Sequence, residues 1–426
     1  MHDSRPLLQE LFRTAVAAAH PANRLASHLP APLAAGLLII LAAGKAAGAM
    51  AEIAEAHYLA SLPPERISGI AVTRRGYERP TRIVKSMIAG HPVPDAASVA
   101  GAEEALALAA DASADDLVLV LLSGGASANW VAPAAGLTLA EKQGVSRALL
   151  ASGATISEIN TVRKHLSRIK GGRLAVRACP AHVVTLAISD VPGDDPAVIG
   201  SGPTVPDPTT LADARAIVER RNLVFPEAAQ RALGNGANET PKPGAAFALT
   251  SFKLIARPAD SFRAAEAAAG AAGFDCVFLG DRIEGEAREI AAIHARLAAD
   301  ARRRGRPTII LSGGELTVTL RGKGRGGPNQ EYALALAMAL DGAPGIAAVA
   351  GDTDGTDGGS GSPDDPAGAF IDDTTLKRAY QSGLDPAAFL AENNSTAFFE
   401  RLGDLLRPGP TCTNVNDFRA IMIKLS

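Results

Sequence analysis

The chain has 426 residues, 47% of them hydrophobic and 20% charged, with a net charge of −3. That length exceeds one ordinary core, so two domains are expected, and the apolar content excludes a disordered polymer. The near balance of charge excludes nucleic acid or an anionic membrane as the main partner. Cys179, Cys276 and Cys412 are the only cysteines; widely spaced and odd in number, they exclude a disulfide framework or zinc site and predict a reducing, cytoplasmic setting.

In chain order, MHDSRPLLQELFRTAVAAAH reads as a capped amphipathic helix. It carries acids and arginines where a signal peptide needs an apolar core. GLLIILAAGKAAGAMAEIAEAH, residues 36–57, opens a recurring pattern: an apolar run, a glycine turn, then an Ala-rich helix. Lys45 interrupts its apolar stretch, which therefore reads as a buried parallel strand rather than a membrane span. The pattern recurs at DDLVLVLLSGGASA, residues 115–128, and at HVVTLAISDVPGDDPAVIGSGPT, residues 182–204. It returns at RPTIILSGGELTV, residues 306–318, and at GIAAVAGDTDGTDGGS, residues 345–360. Strands alternating with helices predict an α/β fold with mainly parallel sheets. The Pro-rich ANETPKPGAAF, residues 237–247, is the expected linker, giving domains 1–240 and 245–426. Strand without helix in ELTVTLRGKG makes the second sheet mixed. LLSGGAS and ILSGGEL look alike, and independent reuse of one strand-to-helix turn explains them better than an internal repeat.

Ligands of open α/β sheets bind beyond the carboxyl ends of strands, so the turns hold the candidate site. Lys45 ends a strand where a helix begins, and an anion there would satisfy both its ammonium and the backbone N–H groups. Ser123, Gly124 and Gly125 let backbone N–H groups approach a phosphate without Cβ obstruction. NTVRKHLSRIKGGRLA, residues 160–175, reads as a basic helix ended by Gly171 and Gly172. Its Arg163, Lys164 and Lys170 are candidates for a carboxylate or phosphate, with a solvated basic face as the alternative. His165 reads as a packed or capping histidine. Asp190 follows a strand directly and is the favoured acid of its turn. Asp352 and Asp354 offer oxygen ligands suited to Mg²⁺ or Ca²⁺, in a spacing that is not an EF-hand. Together the cations, acids and glycine turns fit a phosphorylated ligand neutralised by metal and side chains. Phosphoryl transfer needs positioning, charge neutralisation and an acceptor base, and no protein nucleophile.

AAGKAAGAMA, LLSGGAS, NTVRKHLSRIKGGRLA, SDVPGDDP with IGSGPTVPD, SGGELTVTLRGKGRGGPNQE, AGDTDGTDG and GPTCTNVNDF occur in this order from Lys45 to Asp417. Together they resemble the glycerate 2-kinases of the bacterial and animal type, whose C-terminal domain is called MOFRL. The resemblance implies ATP-dependent phosphorylation of D-glycerate to 2-phosphoglycerate with a divalent metal, Mg²⁺. It implies two α/β domains facing a cleft, the first Rossmann-like. Its partners are small molecules, D-glycerate and ATP, with a homodimer left open. On this resemblance Gly313–Glu331 is a hairpin-like phosphate loop in which Lys323 or Arg325 reaches the ligand, Arg325 being the catalytic candidate. Glu315 then faces the metal or a hydroxyl, and Gly322–Gly327 orders over bound ligand. Two positions depart from the family pattern: Pro328, where some members are basic, and Cys412, where Gly is usual. Related sequences are often labelled hydroxypyruvate reductase, but GKAAG lacks the G-x-G-x-x-G of a dinucleotide fold. A non-catalytic ligand sensor is the third class, and it would not need the strand-end carboxylates.

Overall fold

A computed structural model describes residues 4–359 and 361–425. The chain divides into two compact units. One runs from Pro21 to Ile255; the other combines the N-terminal helix, up to His20, with the chain from Ala256 onward.

The first unit is a six-stranded sheet of β1 (Leu38–Ala43), β2 (Ile67–Thr73), β3 (Lys85–Ile88), β4 (Leu117–Leu122), β5 (His182–Ile188) and β6 (Thr250–Ala256), in the order β3-β2-β1-β4-β5-β6. The pairings among β1 to β5 are parallel. β1 and β4 are buried along their whole length. This explains why LIILAA and LVLVLL are continuous apolar runs without alternation. Among the described residues, no helix is long and apolar enough to cross a membrane. The order reverses between β1 and β4, the topological switch point at which α/β sheets of this order bind ligands.

The second unit holds β7 (Asp275–Phe278), β8 (Gly285–Glu286), β9 (Thr308–Gly314), β10 (Leu316–Thr317), β11 (Ile346–Asp352), β12 (Gly368–Ile371), β13 (Leu405–Leu406) and β14 (Asp417–Ile423). Six of them form a sheet ordered β13-β12-β11-β14-β9-β7. It is mixed, as expected: β14 lies antiparallel between β11 and β9, while β7 joins β9 in parallel. β10 pairs with β8 in a separate two-stranded ribbon.

Three expectations change. The boundary lies at the end of β6, not at 241–244. The expected linker is stitched into the first unit: the Asp207 N–H donates to Pro241 O at 3.0 Å, and Thr240 Oγ1 donates to Thr209 O at 3.2 Å. The N-terminal helix Arg5–Ala19 belongs to the second unit, where Leu8, Leu11, Phe12 and Ala15 share a core with Phe262, Val349 and Phe418. Its Ser4 makes no side-chain cap. The two Ser-Gly-Gly turns also differ. Ser123–Gly125 turns a strand into helix Ala126–Asn129, whereas Ser312–Gly314 is still buried strand in β9 and leads to β10.

Candidate functional site

The turns after β1 and β4 are fastened to each other. The Lys45 N–H donates to Gly124 O at 2.8 Å, and the Ala46 N–H donates to Ser123 Oγ at 2.8 Å. From the other side, Thr73 Oγ1 donates to Gly44 O at 2.9 Å. Gly44 has φ 116°, and a Cβ there would lie 2.4 Å from Ser123 Oγ, so only glycine fits. Gly125 has φ 86°, and a Cβ there would lie 2.9 Å from the His91 ring and 3.4 Å from Lys45 Cγ. The sequence therefore folds so that the Lys45 side chain passes beside Gly125. Among the described residues, the N–H groups of Gly124 and Gly125 donate to no protein acceptor. Asp190, half-buried, leaves the end of β5, the neighbour of β4. Lys45, Ser123–Gly125 and Asp190 thus stand at the carboxyl ends of three adjacent strands.

The basic segment is not one helix. Helix Ile156–His165 ends at His165, and a new helix, Arg173–Ala178, begins after Gly171 and Gly172, which take φ values of 60° and 84°. Residues between them turn because Ser167 bridges to Pro133 and the Arg168 N–H donates to Ala132 O at 2.8 Å. This break parts the cations. Lys164 is buried against Asp207 at 3.3 Å, which commits its ammonium to a protein carboxylate rather than to a ligand. Arg163 and Lys170 instead line a cavity of about 280 Å³, together with Gly125, His91 and Lys142. Lys170 Nζ donates to Ser127 O at 2.9 Å, and Lys142 Nζ to the carbonyls of Arg163 and Leu166 at 2.9 and 2.8 Å. Burial, reinforced by Arg163 and Lys164, lowers Lys170 to about 7. Burial holds Lys142 well below the ordinary lysine range, with Lys170 and Arg163 adding to the shift. His165 is a packed histidine, as read: Nδ1 lies 2.8 Å from Thr161 O, and Nε2 lies 3.3 Å from Glu239.

In the second unit, Asp352 ends β11 opposite Asp417, the first residue of β14. The turn that follows is buried, not a surface loop. Asp354 Oδ1 accepts from the Thr356 N–H at 2.7 Å, and Asp352 Oδ1 from the Asp354 N–H at 2.9 Å. Asp357 closes the N-terminus of helix Pro328–Leu340, accepting from the N–H groups of Asn329 and Gln330 at 3.1 and 2.9 Å. Burial, with Asp417 nearby, raises Asp357 to about 7. Asn329 Nδ2 joins the two acids, 3.2 Å from Asp357 and 2.6 Å from Asp417. Among the described residues, no group of three or more His, Cys, Asp or Glu side chains is arranged to hold a metal ion. The donor chemistry of Asp352 and Asp354 fits a Mg²⁺ that keeps most of its ligands as water and phosphate oxygens. It does not fit a closed protein cage.

The glycine loop is neither a hairpin nor loosely held. The N–H groups of Arg321 and Gly322 donate to Asn393 Oδ1 at 2.7 and 2.9 Å. The Gly324 N–H donates to Glu392 O at 2.9 Å, and the Arg325 N–H to Asn394 Oδ1 at 3.1 Å. A Cβ on Gly322 or Gly324 would lie within 2.4 Å of Glu392 or Asn394. These glycines therefore serve close packing rather than freedom of movement. Lys323, Arg325 and Glu315 are exposed, and Arg325 lies 3.6 Å from Glu400. Pro328 occupies the first helical position, where its missing N–H costs nothing. Cys412 holds φ 56°, the left-handed backbone that glycine would take most readily.

Sequence reasoning missed Lys142, His91, Asn329, Asn393 and Asp417. Lys142 follows the capping box Thr138–Glu141 and reads as an ordinary surface helix residue. The clue for Asp417 was its place at the start of an apolar run after TNVN.

Residues 7–234 match a family described only as a domain of unknown function, DUF4147, and residues 308–417 match the MOFRL family. An Agrobacterium vitis protein with the provisional name hydroxypyruvate reductase is 49% identical over 426 residues, 99% of this chain and 94% of its own. The glycerate 2-kinase of Pyrococcus horikoshii is 40% identical over 392 residues, 89% of this chain and 86% of its own. The crystal structure of glycerate kinase from Thermotoga maritima superposes with a TM-score of 0.85 at 37% identity, covering 99% of both chains. On this similarity over most of its length, and with the MOFRL match, the chain belongs to the glycerate 2-kinase family.

Proposed function

We propose that this protein transfers the γ-phosphoryl group of ATP to the 2-hydroxyl of D-glycerate, with Mg²⁺ required. The observation that carries the reading is Lys45. Its backbone is locked at the β1/β4 switch point by Gly124 and Ser123, beside two glycine N–H groups with no protein acceptor. A fixed cation with backbone donors is what a phosphoryl group in flight needs, because preorganised charge costs no rearrangement at the moment of reaction.

In this reading Asp190 orients the glycerate hydroxyl and accepts its proton as the hydroxyl oxygen attacks the γ-phosphorus. The bond from that phosphorus to the β–γ bridging oxygen breaks, and ADP leaves with the electron pair. Lys45 and the N–H groups of Gly124 and Gly125 stabilise the charge spread over the phosphoryl oxygens. Arg163 and Lys170 bind the phosphates, and Arg325, with Lys323, supplies further positive charge. Glu315 faces the metal or a substrate hydroxyl. Asp352 and Asp354 would hold Mg²⁺, directly or through water. When bound, the metal would supply neutralisation of phosphate charge. Three free cysteines fit action in the reducing cytoplasm, where ATP is available.

The reductase name of the Agrobacterium relative is less well supported. The turn after β1 carries a lysine and lacks the G-x-G-x-x-G pattern of a dinucleotide fingerprint, with Ala46 where its second glycine belongs. Phosphorus NMR of the purified protein with ATP, Mg²⁺ and D-glycerate tests the proposal. The expected result is ADP with 2-phosphoglycerate. NADH oxidation with hydroxypyruvate, in a protein that forms no ADP, would overturn it.

A further inference from the structure

The cavity beside Gly125 changes character along its length. One wall is a face of helix Leu139–Ala151 that presents Lys142, Gln143, Ser146 and Leu150. From Lys142 to Leu150 the helix rises about 12 Å. Near Lys142 the lining is cationic, with Arg163 and Lys170. Among the described residues no carboxylate pairs with any of these three, and the Arg163 guanidinium has no protein hydrogen-bond partner. Three cations gathered without a counter-ion are costly until an anion joins them. The lowered titration of Lys170, from burial and neighbouring positive charge, is the sign of that cost. The same lining also holds the apolar Val93, Val131 and Leu150, with a further, exposed cation, Arg147, on the helix face beside Leu150. Val93 and Leu150 are 63% and 62% exposed, large aliphatic side chains left in water at the cavity mouth.

A volume of about 280 Å³ is near the lower end for a drug-sized ligand, roughly 300 Å³. Glycerate is polar on every side and would waste the apolar half. The match is a ligand with a flat, weakly polar ring at one end and several negative charges at the other.

We propose that this cavity holds the nucleotide, with the base against Val93, Val131 and Leu150 and the phosphates at Arg163 and Lys170. Gly125 belongs both to the cavity lining and to the turn packed beside Lys45, so the phosphate chain continues from Lys170 toward the Lys45 ammonium. This inference rests on the kinase reading and names where its nucleotide sits.

Calorimetric titration with ADP tests it, on wild type and on Ser146→Trp and Leu150→Glu. Both substitutions lie on partly or largely exposed helix positions, and circular dichroism checks that each variant folds. The expected result is ADP binding weakened by about tenfold or more in each, with the glycerate KM little changed. Wild-type ADP affinity in either folded variant overturns the proposal. So does a raised glycerate KM with intact ADP affinity, because the cavity would then hold the acid. If wild type binds ADP and the variants do not, yet no phosphoglycerate forms from ATP and glycerate, the kinase reading fails and the nucleotide cavity stands.

Discussion

Ser123 Oγ accepts the backbone N–H of Ala46 at 2.8 Å, tying the end of β4 to the turn that carries Lys45. Ser123 is fully buried, so Ser123→Ala strands that N–H without a partner. The expected cost is about 1–3 kcal/mol of stability, read as a lower melting temperature, together with reduced turnover because the Lys45 turn is released. Lys45→Ala removes the charge but not the tie. It is expected to lose on the order of 100- to 1000-fold in kcat with melting nearly unchanged. Near-normal kcat in a folded Lys45→Ala protein would leave the lysine a structural residue.

The acids divide by role. Asp352→Asn is expected to raise the Mg²⁺ concentration needed for half-maximal rate, since its carboxylate is assigned to the metal. Asp190→Asn is expected to lower kcat at saturating Mg²⁺, since its carboxylate is assigned to the hydroxyl proton. Magnesium titrations of both variants check this, and superimposable curves would contradict the division.

Lys170 gives nucleotide binding a pH dependence. Burial, then Arg163, then Lys164 lower its folded-state value to about 7, and Lys142 and Ser127 O complete its surroundings. A bound phosphate favours the ammonium and raises that value, so ADP binding takes up protons above pH 7. Affinity should fall as pH rises through about 7 and beyond. For stability of the free protein the sign is opposite: a depressed lysine penalises folding where it must stay charged, so its share of stability improves as pH rises through about 7. Calorimetry in buffers of different ionisation enthalpy reads the proton uptake. Lys170→Arg should reduce it, because arginine stays charged throughout, leaving only the share of Lys142, which burial also holds low.

The glycine loop should be protected without any ligand. The N–H groups of Arg321, Gly322, Gly324 and Arg325 all donate to residues 392–394, so slow hydrogen exchange is expected there in the free protein. Asn393→Ala should release the first two. Gly324→Ala should destabilise by about 1–3 kcal/mol through overpacking, as its Cβ would meet Asn394 at 2.3 Å. Arg325→Ala should reduce turnover and leave melting nearly unchanged, since its ion pair with Glu400 is exposed and worth little. Fast exchange throughout 321–325 would show that these bonds do not persist in solution.

Much of this molecule is written locally. Continuous apolar runs such as LIILAA and LVLVLL specify buried parallel strands, because both faces are covered. The glycines after them specify turns, because only they tolerate the backbone required. Lys45, Ser123–Gly125, Asp190 and Asp352 could therefore be placed at strand ends from sequence alone. What a charge meets across the sheet is not local. Lys164 and Lys170 are six residues apart and read alike, yet one is buried against Asp207 and the other faces a cavity, because the helix breaks at His165. Asp352 and Asp417 are register partners separated by more than sixty residues, and Asn393 holds a loop that resembles a flexible one. The linker reading failed for the same reason: β6 adds to the edge of the first sheet, and the N-terminal helix buries Phe12 in the second core. Periodicity and turn chemistry depend on neighbours in sequence, so the sequence determined the elements and their ends. Pairing, counter-ions and burial depend on neighbours in space, and only the tertiary structure decided those.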